Sequence, residues 1–385
     1  MTLKFEELSG PEALVALSAE WESLEAELHP RTPFTSPLWI GLWWKHFRQN
    51  RPAVRHEFFC HTVRDYDGQL VAVAPLMVTH WPAVGPVRIR LLQFFGADPS
   101  ITEIRGVICR AERQDEVIIA LANYLLDRKD RWDVFWWTGI RHESSAYHSL
   151  VDRGELIIDC ELPDYILSLP ESWNKLRSNV SANMRKNIRK AYEHLERDGH
   201  IFAFRTIERP EAVATALERF FVLHAARAEV TDMIRHPNKF SSQRNRDFFT
   251  EYAGRVAERG LLRIFELEIG GHVVASRVAF LLDSELYFYF AGYDPKWRKY
   301  SVMTTLMSEA MKWAIDSGIT IVNLSTGKDL SKMRWRPTEL VYQSALQIAP
   351  TIRGRLAFLA YDALVRRPRL RTLQRRAADL KLNEL

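Results

Sequence analysis

Two largely apolar stretches of the chain, centred about 200 residues apart, each read as two strands, with polar positions gathered around a turn signal near the middle. In the first, FFCHTVRDYDGQLVAVAPLMV (58–78), the signal is Asp67-Gly68; in the second, LLRIFELEIGGHVVASRVAFLL (261–282), it is Gly270-Gly271. Each predicted hairpin is followed by an aromatic-rich strand, a helix, and a short apolar strand ending in Thr-Gly. These are 87–95, 114–127 and 132–139 in the first half, and 285–293, 302–317 and 319–327 in the second. Helical spacing places further helices upstream, at 11–28 and 37–47 and again at 210–228 and 245–259. The pattern predicts an α/β fold of mixed sheets covered by helices, used twice.

Between the halves, Ser168-Leu169-Pro170-Glu171 reads as a helix start, and Trp173, Leu176, Val180, Met184, Ile188 and Leu195 continue at helical spacing to Gly199. The outer positions of this connector, 175–190, are basic. After the second half, Leu356, Leu359, Ala363 and Leu364 recur at helical spacing, Pro368 interrupts, and Leu370, Leu373, Ala377 and Leu380 resume it among arginines. Four segments result: domains at 1–165 and 201–350, a helical connector at 166–200, and a basic amphipathic tail at 351–385.

Composition narrows the class. A chain of 385 residues exceeds one ordinary core, and 47% apolar with 26% charged residues is a globular balance. The first residues carry acids where an export signal carries bases, and no uncharged apolar run reaches membrane-spanning length, so a cytoplasmic protein is expected. Cys60, Cys109 and Cys160 lie far apart without metal-ligand spacing, so neither a disulfide framework nor a metal site is expected. The net charge of +5 is concentrated in the tail: residues 351–385 hold nine Arg or Lys and three acids. Such a helix suits an anionic membrane surface, which would place the protein peripherally at the inner face; a helix docked on its own protein is the alternative.

The stretch AGYDPKWRKYSVMTTLMSEAMKWAIDSGITIVNLSTGKDLSKMRW (291–335) resembles the CelD/BcsL group of GNAT-like acyltransferases, relatives of the FemAB peptidyltransferases. PFTSPLWIGLWWKHF (33–47), SANMRKNIRKA (181–191) and FFVLHAAR (220–227) extend the likeness over nearly the whole chain up to about Pro350. The resemblance implies a tandem GNAT fold that moves an acyl group from a thioester, acyl-CoA or acetyl-CoA, onto an amine or hydroxyl. The donor's pyrophosphate needs free N–H groups at a helix N-terminus. The segment from Arg298, Lys299, Tyr300 and Ser301 through Val302, Met303, Thr304 and Thr305 is the candidate cradle, with a solvated basic loop as the competing reading. The family cradle runs Arg or Gln, two residues, Gly, one residue, Gly or Ala; here Ser301 and Met303 stand at the small positions. In the first half, the corresponding loop, 96–114, carries Asp98 and Glu103 beside Arg105 and no compact basic cradle, so this half is expected to wall the acceptor side.

Acyl transfer also needs a proton acceptor and a group that polarises the thioester. His224 is the candidate base, with Arg227 one helical turn away, and a buried structural histidine is its alternative. Tyr289, which shares a strand face with Tyr287, is the candidate acid, although aromatics on strands are more often core. Asn323, Ser325, Thr326 and Asp329 sit where α/β sites collect ligands; related sequences carry an acid at the position of Asn323, and Asp329 is the candidate to replace it. Lys332, Arg334 and Trp335 form a cation-aromatic group suited to an anionic or sugar-like acceptor, or else a solvated loop anchored by one tryptophan. Trp43 and Trp44, with Trp39 and Phe47, lie on one helix whose surface reads mostly as core, with one ring a candidate for the acceptor groove. The expected function is N- or O-acylation of a cell-envelope precursor (polysaccharide, lipid-linked sugar or an aminolipid such as a sphingoid base) by direct attack in a ternary complex. The alternatives are a FemAB-like transferase using charged tRNA bound along 175–190, and a non-catalytic binding protein.

Overall fold

The structure, a computed structural model, describes residues 3–84, 88–98, 101–230 and 236–368. Contacts divide the chain into two compact units: residues 1–29, 34–161 and those from 342 onward form the first, and residues 30–33 and 162–341 the second.

The first unit contains β1 (Lys4–Glu7), α1 (Glu12–Ala26), α2 (Pro37–Phe47), β2 (Asn50–Arg51), β3 (Val54–Phe58), β4 (His61–Arg64), β5 (Leu70–Ala74), β6 (Leu76–Trp81), β7 (Ile89–Phe94), β8 (Ile108–Cys109), α3 (Gln114–Leu126), β9 (Val134–Arg141) and α4 (Ser145–Asp152). α2 starts where Ser36 accepts from the Trp39 amide with Pro37 in the first turn, a favourable pairing of cap and fixed φ. The predicted two-stranded hairpin is four strands. Pro75 has no N–H to give a ladder, and the chain changes sheet there and, on the opposing arm, at Phe59-Cys60. β4 and β5 pair in a sheet of order β1-β4-β5-β8, whereas β3 and β6 pair in the main one.

β10 (Ile157–Ser168), absent from the sequence pattern, leads into the second unit. There follow α5 (Trp173–Asn179), α6 (Ala182–Arg197), β11 (Phe202–Ile207), α7 (Pro210–Ala228), α8 (Gln243–Glu258), β12 (Leu262–Ile269), β13 (His272–Leu282), β14 (Glu285–Tyr293), α9 (Val302–Asp316), β15 (Ile321–Thr326) and α10 (Leu330–Met333). The second unit's strands are ordered β11-β12-β13-β14-β15-β10. The connector is two helices rather than one. Val180 is extended, Ser181 caps α6 by accepting from the Met184 amide, and the first cap is Ser172, since Ser168 closes β10. Leu176, Val180, Met184, Ile188 and Leu195 are buried in the second unit's core with Leu306, Met311 and Val322, so this segment is part of that unit.

β16 (Thr338–Ile348) and α11 (Ile352–Tyr361) finish the described chain. From Tyr342 on, β16 bonds to β9, Tyr342 opposite Arg141 and Ile348 opposite Val134, so this segment counts with the first unit and not with the half that precedes it in sequence. The first unit's main sheet is ordered β16-β9-β7-β6-β3-β2. α11 rests on it through Ala357 and Tyr361, while Leu356, Leu359, Ala363 and Leu364, the stripe read from sequence, face outward. Leu370, Leu373, Ala377 and Leu380 lie outside the described residues.

Both units contain a strand pair that runs parallel for three residues: β7 with β9 at Leu91–Gln93 and Val134–Trp136, and β14 with β15 at Glu285–Tyr287 and Ile321–Asn323. In the first unit, the space beyond that pairing is filled by the chain itself. A Cβ on Gly139 would lie 2.4 Å from the Arg105 carbonyl oxygen, and one on Gly106 would lie 2.6 Å from that of Thr138. Asp98 fixes the same loop, accepting from Trp43 Nε1 at 2.9 Å, the Ile101 amide at 2.5 Å and Thr102 Oγ1 at 2.6 Å. Trp39, Trp43 and Trp44 are all buried, so none of them lines a groove.

Two glycine substitutions separate these constraints. Gly139→Ala, at φ 69° and against a carbonyl, is expected to lower stability by more than about 2 kcal/mol. Gly41→Ala, in α2 with open space at its Cβ, should raise it by about 0.5–1 kcal/mol. Denaturant midpoints of the two variants measure both effects.

Candidate active site

The second unit opens where β14 stops matching its neighbours. Along β13 the step from Arg277 to Ala279 faces a step from Ala291 to Phe288 on β14, so β14 carries one extra residue at Tyr289-Phe290. The bulge breaks side-chain alternation, and the rings of these two neighbours come to 4.1 Å between centroids. Tyr289 is buried against Phe249 and Phe280 at 5.4 and 5.6 Å. It is thus a core aromatic, not the exposed acid expected from alternation. Pairing with β15 ends at the same level, after Tyr287 opposite Asn323, although β14 continues to Tyr293 and β15 to Thr326. Beyond that level no ladder pairs the two strand ends.

α7 packs directly on β14. Gly292 lets this happen: a Cβ there would lie 2.3 Å from the His224 main-chain nitrogen. His224 itself is bracketed by main chain, with Nδ1 at 2.9 Å from the Ala291 carbonyl oxygen and Nε2 accepting from the Lys239 amide at 3.2 Å. Burial above all, with the charges of Arg227 and Lys239, holds its pKa down at about 4. Neutral, and using both nitrogens, His224 fastens α7, β14 and the chain at Lys239; it has no lone pair left for an acceptor's proton.

Arg227, one turn further along α7, reaches the same strand end. Its guanidinium donates to the Ala291 carbonyl at 3.4 Å and to His236 Nε2 at 2.9 Å. Since Nε2 accepts, the proton of His236 is on Nδ1, and among the described residues nothing accepts from it. Burial first, then Arg227, lowers the His236 pKa to about 4 against the opposing pull of Asp329, so the ring stays neutral at physiological pH. Burial also lowers the Arg227 pKa, opposed by Asp329 and Tyr293. Arg227, His236, Tyr293 and Asp329 therefore share one electrostatic environment at the carboxyl ends of β14 and β15. His236 and Tyr293 were not singled out from sequence: His236 comes after the helix pattern has ended, and only the fold returns it to Arg227.

At the end of β15, the polar residues mainly hold the backbone. Asn323 donates to Asp164 Oδ2 at 2.8 Å and accepts from the Ser325 amide at 2.6 Å, which pins Ser325 at φ 72°. Lys332 donates to the carbonyls of Ser325, Thr326 and Gly327 at 3.0, 2.6 and 3.2 Å. Asp329 caps α10 by accepting from the Ser331 amide at 2.7 Å. Burial pushes its carboxyl up, but the Ser331 amide and hydroxyl, helped by His236 and Lys332, hold it below the usual range, which makes it a poor base. Trp335 is buried in the core and Arg334 is exposed, so the expected cation-aromatic surface does not form.

The predicted donor loop joins β14 to α9. Ser301 takes the left-handed conformation at φ 54°, the region glycine favours, and its side chain caps no amide. The Thr304 and Thr305 amides turn back to the Ser301 carbonyl at 2.8 and 3.3 Å, and Val302 and Met303 head the helix. Met303 packs toward the core and Arg298 and Lys299 are exposed. Tyr300 instead anchors the loop: its buried phenol donates to Asp198 Oδ2 at 2.9 Å and lies 2.9 Å from His200 Nε2. Among the described residues, no three His, Cys, Asp or Glu side chains gather as metal ligands.

Residues 182–335 match the family model of the acetyltransferase (GNAT) domain. No curated protein matches the chain. Among solved structures, FemX is similar at 9% identity and TM-score 0.58, covering 88% of this chain and 96% of its own. A conserved protein of unknown function from Bacteroides thetaiotaomicron VPI-5482 is similar at 12% identity and TM-score 0.53, covering 90% and 100%. A tandem GNAT protein from the clavulanic acid biosynthesis pathway overlaps at 12% identity and TM-score 0.46, covering 91% and 99%. The chain has a mixed α/β fold of the GNAT type.

The buried histidines make stability acid-sensitive with a defined sign. His56, His61, His224 and His236 protonate in the unfolded chain near 6.5 but in the native state only near 4. Stability is full above about pH 6.5 and falls as pH drops toward 4, by up to about 1.4 kcal/mol per pH unit for each ring. Urea unfolding across that window should show the slope, and His224→Asn should reduce it by about one proton; an unchanged slope would mean that His224 is solvated.

Proposed function

We propose that the second unit transfers an acyl group from acyl-CoA or acetyl-CoA to an amine or hydroxyl of a cell-envelope precursor: a polysaccharide, a lipid-linked sugar or an aminolipid such as a sphingoid base. The observation that carries this reading is the parting of β14 and β15 at the bulge, with the N-terminus of α9 directly downstream of β14. An extended thioester fits between the strands, and its pyrophosphate fits the α9 amides with Arg298 and Lys299. The left-handed Ser301 supports this fit, because the backbone follows the course that glycine gives the family cradle.

In this reading the acceptor nitrogen or oxygen attacks the thioester carbonyl, the C–S bond breaks, and the departing thiolate takes up a proton. Arg227 and the Nδ1–H of His236 are the donors for the negative charge that develops on oxygen or sulfur, in a partly dry site where such bonds are strong. Asp329, ionised beside them, is suited to holding a cationic acceptor. Attack is direct within a ternary complex, with no covalent enzyme intermediate; all three cysteines belong to the first unit. A second reading, aminoacyl transfer from charged tRNA, draws on the exposed cations Lys175, Arg177, Arg185, Lys186, Arg189 and Lys190 along α5 and α6. A lipid-borne acceptor would bring the protein to the inner face of a membrane; no helix among the described residues is long and apolar enough to cross one.

Thermal denaturation with acetyl-CoA, long-chain acyl-CoA and CoA tests the donor. A rise in Tm is expected, Arg298→Ala should weaken donor affinity by about tenfold or more without changing the apo Tm, and Arg227→Met should depress kcat while donor affinity is kept. No shift with any thioester would overturn the reading, and a shift with charged tRNA alone would favour the second.

A further inference from the structure

α11 is held to the first unit from several sides. Its inner face buries Ala357 and Tyr361 against Ile89, Val134 and Leu346. Arg353 pairs with the buried Asp133 at 3.0 Å and donates to the Arg88 carbonyl at 3.0 Å. Just past the helix, Arg366 pairs with Asp362 at 3.0 Å and Asp159 at 3.5 Å, and Arg367 pairs with Asp362 at 2.7 Å. A Cβ on Gly354 would lie 2.4 Å from the Ala349 carbonyl oxygen, so the helix sits close on the strand end.

The opposite face is apolar, and among the described residues nothing covers it. Ile352, Leu356 and Leu359 are 81%, 63% and 62% exposed at the spacing of a single helix face, and Leu364 in the next turn is 64% exposed. Exposed aliphatics scattered singly are ordinary; three aligned on a helix clamped from behind, with Leu364 exposed just beyond its end, form a surface. Its border is cationic. Residues 351–361 contain Arg353 and Arg355 and no acid, and Asp133, Asp159 and Asp362 are each bound by arginines.

We propose that this face of α11 docks on an anionic phospholipid bilayer, with Ile352, Leu356, Leu359 and Leu364 entering the boundary between headgroups and acyl chains and Arg355 in the headgroup layer. The charge favours this occupant: two copies meeting through the face would set Arg355 against its like, whereas anionic headgroups neutralise the border. The proposal is independent of the acyl donor, since docking requires no thioester.

Full-length protein is sedimented with vesicles of phosphatidylcholine alone and of phosphatidylcholine with 30% phosphatidylglycerol. Binding at least about fivefold stronger to the anionic vesicles, and weakened by salt, is expected. Leu356→Gln/Leu359→Gln should reduce it about tenfold or more, and Arg355→Gln by a few-fold; circular dichroism and Tm should match the parent, as these side chains are exposed. Equal binding by parent and double variant would overturn the proposal, as would binding abolished by deleting 369–385 yet insensitive to the double variant. Self-association abolished by the double variant, with no vesicle binding, would assign the face to a second copy and equally overturn it.

Discussion

One residue too many on β14, between its pairings to Arg277 and Ala279 of β13, turns that strand away from β15 beyond Tyr287. A parallel pair that continued in register would satisfy its own amides and carbonyls and leave no entrance to the sheet. The bulge ends that pairing without ending either strand. It also sends the Tyr289 and Phe290 rings into the aromatic core, which anchors the strand while its last residues stand apart.

The first unit begins from the same three-residue parallel pairing and arrives at the opposite result. Its own main chain at Arg105-Gly106 lies against Thr138-Gly139, with glycine on both sides because the backbones approach too closely for any Cβ. The loop that the sequence marked as lacking a basic cradle is thus a filler, braced by Asp98 and two tryptophans. The same order of elements can therefore leave the strand ends unpaired or fill the space beyond them, depending on how long the loop after the central strand is and on the glycines that let it enter.

Helix and strand order in the second unit was legible because its elements are long, strongly periodic and bounded by Gly-Gly or proline. The first unit's hairpin divides at Pro75, where one missing N–H breaks a run that is apolar on both sides. β16 shows what no local pattern contains: its residues from Tyr342 on take partners about 200 positions upstream in β9. At the candidate site, sequence could assign roles only by residue type. His224 has the chemistry of a base, yet two main-chain partners use both of its nitrogens, and Lys332 gives its protons to three carbonyls. The pairing of Arg227 with His236 depends on a chain reversal for which residue spacing offers no signal.

Gly292 has a mechanical consequence. With no side chain between its backbone and that of Leu223 and His224, α7 and β14 touch main chain to main chain, and the His224 ring adds a bond to the adjacent carbonyl. Helix and strand can neither slide nor separate by a rotamer change, so they move as a single rigid lever. Any displacement of β14 therefore carries Arg227 with it, and the guanidinium keeps its position relative to that strand.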